Sequence, residues 1–196
     1  MRNKEQILVV PVNYVSHIGN NFTGTSLSTK SSYVQFDSTG LYEPRYKIDN
    51  NICLIKIAVV LIFKDKEGKY LVKESKNKKI RPCIELGINS YIEPDSGNYK
   101  ALYNQINTLC KEIGLDTKDT SNKFIGYIRD LTNDCVKSTL GMVYYIDTNK
   151  DLNFSNKSKL YSYEWYTLKE LVDRYTKTTS WSKILIDNLL VENIIL

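Results

Sequence analysis

The 196-residue chain contains a single histidine, His17, which by itself cannot build a histidine-based metal site or a catalytic triad. It has four cysteines (Cys53, Cys83, Cys110 and Cys135), far apart and with no C-x-x-C pair. Zinc sites and disulfide frameworks show close or regular spacing, so we expect reduced, mainly buried thiols. Long hydrophobic runs are also missing. The longest, "CLIKIAVVLIF", is interrupted by Lys56, and the N-terminal "ILVVP" is too short for a signal-peptide core or a membrane span. A cytoplasmic protein is the expectation. No internal repeat is visible.

What remains is an ordinary globular composition, 42% hydrophobic and 25% charged, with a net charge of +5. The densest basic stretch, "KESKNKKIR" at 73–81, has neither aromatic interleaving nor a helix-turn-helix pattern. It reads as a solvated loop, and nucleic acid is not the expected partner.

Residues 5–12 read as a strand, 16–26 as a glycine-containing loop and "YVQFD" as a short strand. The segment 41–51, broken by Pro44, reads as a connecting loop. "LIKIAVVLIFKD" is apolar on both faces and β-branched, hence a central strand. A turn through Gly68 leads to "YLVKES" as its hairpin partner. "CIELGINSYI" is a further strand-like run. A helix is predicted over 98–113, with Leu102, Ile106, Leu109 and Ile113 as its apolar stripe and Gly114 as its C-cap. Strands "KFIGYIRDL" and "TLGMVYYIDT" flank a turn at 132–135, and 149–159 reads as a polar loop. Two helices follow: the first opens with a Thr167/Glu170 capping box, and the second carries Trp181, Ile184, Leu185 and Leu189 on one face. This order implies an α/β (α+β) sandwich with a central mixed sheet in one domain spanning 1–196. Within it, 1–50 form an N-terminal strand and loop extension, 51–150 the sheet and central helix, and 151–196 the C-terminal helices.

On the helix face opposite the stripe lie Asn104, Thr108, Lys111 and Glu112. A run of carboxylates there would direct several oxygens at one magnesium ion. Each unit-charge pair at about 4 Å is worth roughly 4 kcal/mol at an effective dielectric near 20, so a lysine among the ligands is a large penalty.

These residues resemble the Nudix signature G-x(5)-E-x(7)-R-E-U-x-E-E-x-G-U, where U is aliphatic. "NTLCKEIGL" (107–115) matches its end at Leu109, Glu112, Gly114 and Leu115. Asn107, Thr108 and Lys111 stand where the family has Arg and two metal-binding glutamates, and its paired glycines fall at Asn89 and Ser90. The chain is similar throughout to the predicted-phosphoesterase branch of that family. The shared features are "ILVVPV", Phe22-Thr23-Gly24, Arg45 and Asp49 in "RYKID", "TLGMVYYI" with Thr139 where a histidine often stands, "WYTLKEL" and "WSKILI". The resemblance implies a Nudix-type α/β/α sandwich and a Mg2+- or Mn2+-dependent hydrolase of a nucleoside diphosphate linked to another group.

Carried over by position, Glu112 is the matched ligand, with Glu93 and Asp95 as neighbouring acids that could join it as metal ligands and, with Glu93, in catalysis. Glu85, Asp130 and Asp134 are further acids, expected to be solvated or capping. Arg45, Phe22, Tyr91 and Lys111 are the candidate ligand-binding residues, with Tyr46 a further stacking candidate and Arg81 a possible phosphate partner. The pocket is expected between the helix 98–113 and loops near 19–24, 45–49 and 87–95. Two readings follow. In one, the degenerate box leaves a binding module for a nucleotide-like ligand or a protein partner, with little or no pyrophosphohydrolase activity. In the other, a rearranged site keeps Mg-dependent hydrolysis. A homodimer is compatible with the family.

Overall fold

The structure, a computed structural model, describes residues 5–15, 23–27, 40–49, 51–77, 84–94, 98–116, 121–148 and 160–195. The expected strand at 33–37 and loop at 149–159, together with His17, Phe22, Arg81, Cys83 and Asp95, lie outside them. The architecture is α+β. Ten strands, among the described residues, belong to one mixed sheet: β1 Gln6–Pro11, β2 Gly24–Leu27, β3 Leu41–Pro44, β4 Leu54–Asp65, β5 Tyr70–Ser75, β6 Ile84–Leu86, β7 Ile88–Tyr91, β8 Ser121–Arg129, β9 Thr139–Thr148 and β10 Tyr161–Tyr166. The helices are α1 Arg45–Ile48, α2 Asn98–Glu112, α3 Leu168–Asp173 and α4 Ser180–Ile195. None of them is long and apolar enough to cross a membrane.

The chain forms two compact units that alternate along the sequence: 1–60, 89–108 and 124–143 in the first, and 61–88, 109–123 and 144–196 in the second. In the first, β3, β1, β4, β9, β8 and β2 are successive hydrogen-bonded neighbours, with β7 also on β4. β1 runs antiparallel to both β3 and β4, with Val9 opposite Leu41 on one side and Lys56 on the other. In the second unit, β10, β5 and β4 are neighbours and β6 joins β5.

Ile55 to Phe63 of β4 are buried without a break, as a strand apolar on both faces requires. Lys56 interrupts the apolar series, yet it too is buried. The stripe Leu102, Ile106, Leu109 and Ile113 is buried, while Asn104, Thr108, Lys111 and Glu112 are exposed. Gly114, at φ 79°, closes α2 in the left-handed conformation. The capping box of α3 is formed: Thr167 Oγ1 accepts from the Glu170 N–H, and the Glu170 carboxylate accepts from the Thr167 N–H. On α4, Trp181, Leu185 and Leu189 are buried along with Ile186, and Ile184 is half-buried.

Four expectations are corrected. The segment 16–26 is not loop throughout, since Gly24–Leu27 is a strand paired antiparallel with β8. The segment 41–51 is no mere loop: Leu41–Pro44 is a strand and Arg45–Ile48 a helical turn. Among the described residues that strand pairs on one side, with β1, and proline is tolerated at the end of such a strand. The run 83–92 breaks into β6 and β7 at Gly87, whose φ is 74°. The thiols are mainly exposed: Cys53 and Cys135 are exposed, and Cys110 alone of the three described is buried. All three are free. Burial pushes the Cys110 thiol up to about 12.

Candidate functional site

The box-like segment begins at Gly87. A Cβ at this position would stand 2.1 Å from the Leu61 carbonyl oxygen, so the backbone approach excludes every other residue. The Gly87 N–H donates to Leu71 O at 2.8 Å, and Leu86 N–H donates to the buried Ser182 hydroxyl of α4 at 2.8 Å. These contacts anchor β6 within the second unit and fix where its side chains stand.

β10, β5 and β6 then place three residues side by side: Tyr163 opposite Lys73, and Lys73 opposite Glu85. Directly opposed residues share a sheet face. Lys73 Nζ lies 3.9 Å from Glu85 Oε2 and 4.6 Å from the centre of the Tyr161 ring. The Tyr163 hydroxyl donates a short hydrogen bond to the carboxylate of Glu112, in the last turn of α2. Burial, followed by the bond to Glu112 and its negative charge, holds the Tyr163 phenol well above its usual range. Tyr163 is therefore a neutral donor at physiological pH.

Glu112 thus meets Tyr163, whose register neighbours across the strands are Lys73 and then Glu85. Glu85 is paired with Lys73. Glu93 is an exposed residue just past β7, in the first unit. Lys111 is exposed beside Glu112. Asp130 is buried and its Oδ1 accepts from the Thr132 N–H and hydroxyl at 2.8 and 2.6 Å, a local turn closure. Asp134 is paired with Lys137 at 2.7 Å. A magnesium ion takes about six oxygens in near-octahedral geometry. Among the described residues no three acids, histidines or cysteines form a group able to hold a metal.

Arg45 and Tyr91 do come together. They line a pocket of about 570 Å³ in the first unit, along with Asp49, Lys56, Asp134 and Lys137. The Tyr91 ring packs on the buried cluster Ile7, Val9 and Ile48. Arg45 Cζ lies 5.1 Å and Lys56 Nζ 5.9 Å from its centre. Lys56 donates to Asp49 at 3.0 Å. This pocket uses the expected segments 45–49 and 87–95. Its other wall comes from the turn around 134–138 rather than from α2, and is tied to β4 by the Lys56 N–H to Ser138 O bond of 2.8 Å. Tyr46 is exposed and is not part of this lining.

Sequence reasoning missed Tyr163, Lys73 and Lys56. The signal for Lys56 was a cation inside the most apolar strand. For Tyr163 it was the aromatic alternation of "YSYEWY", which favours a strand.

No protein-family profile matches the chain, and no curated protein matches it in sequence. Among solved structures, Tm1382, provisionally named a Nudix hydrolase, superposes with a TM-score of 0.77 at 20% identity, covering 95% of this chain and 98% of its own. The MutT protein of Methanosarcina mazei Go1 (TM-score 0.46, 14% identity, 71% of this chain and 95% of that one) is a more distant match. An Ap4A hydrolase of C. elegans (0.46, 9%, 71% and 99%) is another. The likeness to Tm1382 establishes the Nudix fold for this chain.

Proposed function

We propose that the chain is a Nudix-fold binding protein, with little or no pyrophosphohydrolase activity, that takes a nucleotide-like small molecule or a protein partner. The carrying observation is the hydrogen bond from Tyr163 to Glu112. The carboxylate at the box's matched position is engaged by a neutral phenol, and that tyrosine stands opposite Lys73 in the sheet. Lys111 adds a positive charge in the same helical turn. A hard divalent ion prefers the reverse: clustered carboxylates and no ammonium. The fold-bearing features (the α2 stripe, Gly114 and the two C-terminal helices) are all kept. Fold alone does not fix chemistry. In this reading Arg45 and Tyr91 serve the ligand, and Phe22 and Lys111 are proposed as ligand contacts from the family resemblance alone.

The second reading, a Mg2+- or Mn2+-dependent hydrolase with Glu112, Glu93 and Asp95 as ligands and Glu93 also assisting catalysis, is favoured by one observation: Glu112 and Glu93 are both solvent-exposed and so reachable by an incoming ion. The two readings are separated by incubating the protein with Mg2+ and a set of nucleoside diphosphates linked to sugars, nucleosides or simple alcohols. Binding of at least one compound with turnover no faster than buffer supports the first. Turnover that disappears in Glu112→Gln overturns it.

A further inference from the structure

We propose that the pocket in the first unit is an oxyanion clasp, in which Arg45 and Lys56 together take one phosphate or carboxylate group of a small ligand. This rests on the binding reading above and narrows the ligand's chemistry. Lys56 carries the argument. Its side chain is 6% exposed, and among the described residues its ammonium makes one hydrogen bond, to Asp49. An ammonium has three N–H donors, and a buried charged donor left without acceptors is costly. The two remaining donors belong to a residue that lines the pocket.

Arg45 supplies the second arm. Its guanidinium forms a half-exposed ion pair with Glu5 at 3.7 Å, and among the described residues its side chain makes no hydrogen bond, so its N–H donors are open to a ligand. A planar fork of five donors matches the oxygens of a phosphate or carboxylate. Tyr91 positions both arms. Its ring is fixed against Ile7, Val9 and Ile48, with one cation 5.1 Å and the other 5.9 Å from its centre. In this arrangement Tyr91 orders the cations rather than stacking on a base.

The lining holds three cations (Arg45, Lys56, Lys137) and two acids (Asp49, Asp134). Each cation has an acid, Lys56 with Asp49, Lys137 with Asp134 at the exposed rim, and Arg45 with Glu5 outside the lining, so an incoming anion is held by the N–H donors these pairs leave open rather than by an excess of charge. The volume of about 570 Å³ is that of a small-molecule site, with room for more than the anionic group.

Calorimetry on the full chain, without metal, tests the clasp with inorganic phosphate, AMP and acetate as probes. We expect binding of phosphate and AMP, or of acetate if the natural group is a carboxylate. Arg45→Gln and Lys56→Met should each weaken it at least about tenfold, and Lys137→Gln less than about threefold. Arg45 is half-exposed, so its variant stays folded and remains decisive if Lys56→Met does not. Wild-type affinity in Arg45→Gln, or no binding of any probe to the wild type, overturns the clasp. The two proposals fail separately: Mg-dependent turnover lost in Glu112→Gln removes the binding-only reading, while the clasp is still decided by Arg45.

Discussion

The Tyr163 hydroxyl on β10 donates to the Glu112 carboxylate on α2. Replacing Tyr163 by Phe leaves Glu112, already solvent-exposed, to water, so the expected loss is modest, about 1 kcal/mol. The pH dependence is the sharper readout. The phenol's folded-state pKa is raised above the unfolded value of about 10. Its contribution is therefore complete below pH about 10 and is lost as pH rises toward the folded value. Denaturant unfolding across the alkaline range should show the wild type losing stability there more steeply than Tyr163→Phe. Parallel curves for the two proteins would break the assignment.

Gly87 combines a positive φ with a Cβ position 2.1 Å from a main-chain oxygen. Neither conflict is relieved by rotating a side chain. Gly87→Ala should cost about 3 kcal/mol or more, seen as a lower urea midpoint or as loss of soluble protein. A variant within about 0.5 kcal/mol of wild type would contradict the close approach of β6 to Leu61.

Cysteine reactivity should divide by position. The reactive form is the thiolate, and burial raises the Cys110 pKa to about 12 while also shielding the sulfur. Alkylation near neutral pH followed by peptide mapping should label Cys53 and Cys135 in the native protein, and Cys110 once denaturant is added. Rapid native labelling of Cys110 would show that α2 opens readily.

The capping box of α3 predicts that Thr167→Ala costs about 1 kcal/mol, because it leaves the Glu170 N–H without its side-chain acceptor. Thermal unfolding reads this as a lower midpoint. Thr167→Ser should retain most of the stability, since the hydroxyl is what accepts.

Features carried by local pattern were legible in the sequence. The β-branched run of β4, the 4-3-4 stripe of α2 with its Gly114 cap, and the Thr167/Glu170 box each involve neighbours within a few residues. β10 was not read, because "YSYEWY" runs straight into a helix whose capping signal dominates the segment. β3 and α1 were hidden by Pro44, which ends a strand at its edge as readily as it starts a turn. Of the candidate site, Glu112 stood out by motif and Arg45 and Tyr91 by chemistry. Tyr163 did not, since its place beside Lys73 and Glu85 depends on the register of three strands. Such register is a property of pairing between distant segments.

The most direct test of the binding reading is a calorimetric titration of the wild type and Glu112→Gln with Mg2+ and Mn2+, with and without ADP-ribose. The account predicts that Glu112→Gln leaves the metal isotherm unchanged, both being flat or equally weak, whether or not the nucleotide is present. Stoichiometric metal binding by the wild type that vanishes in Glu112→Gln would contradict it and restore the hydrolase.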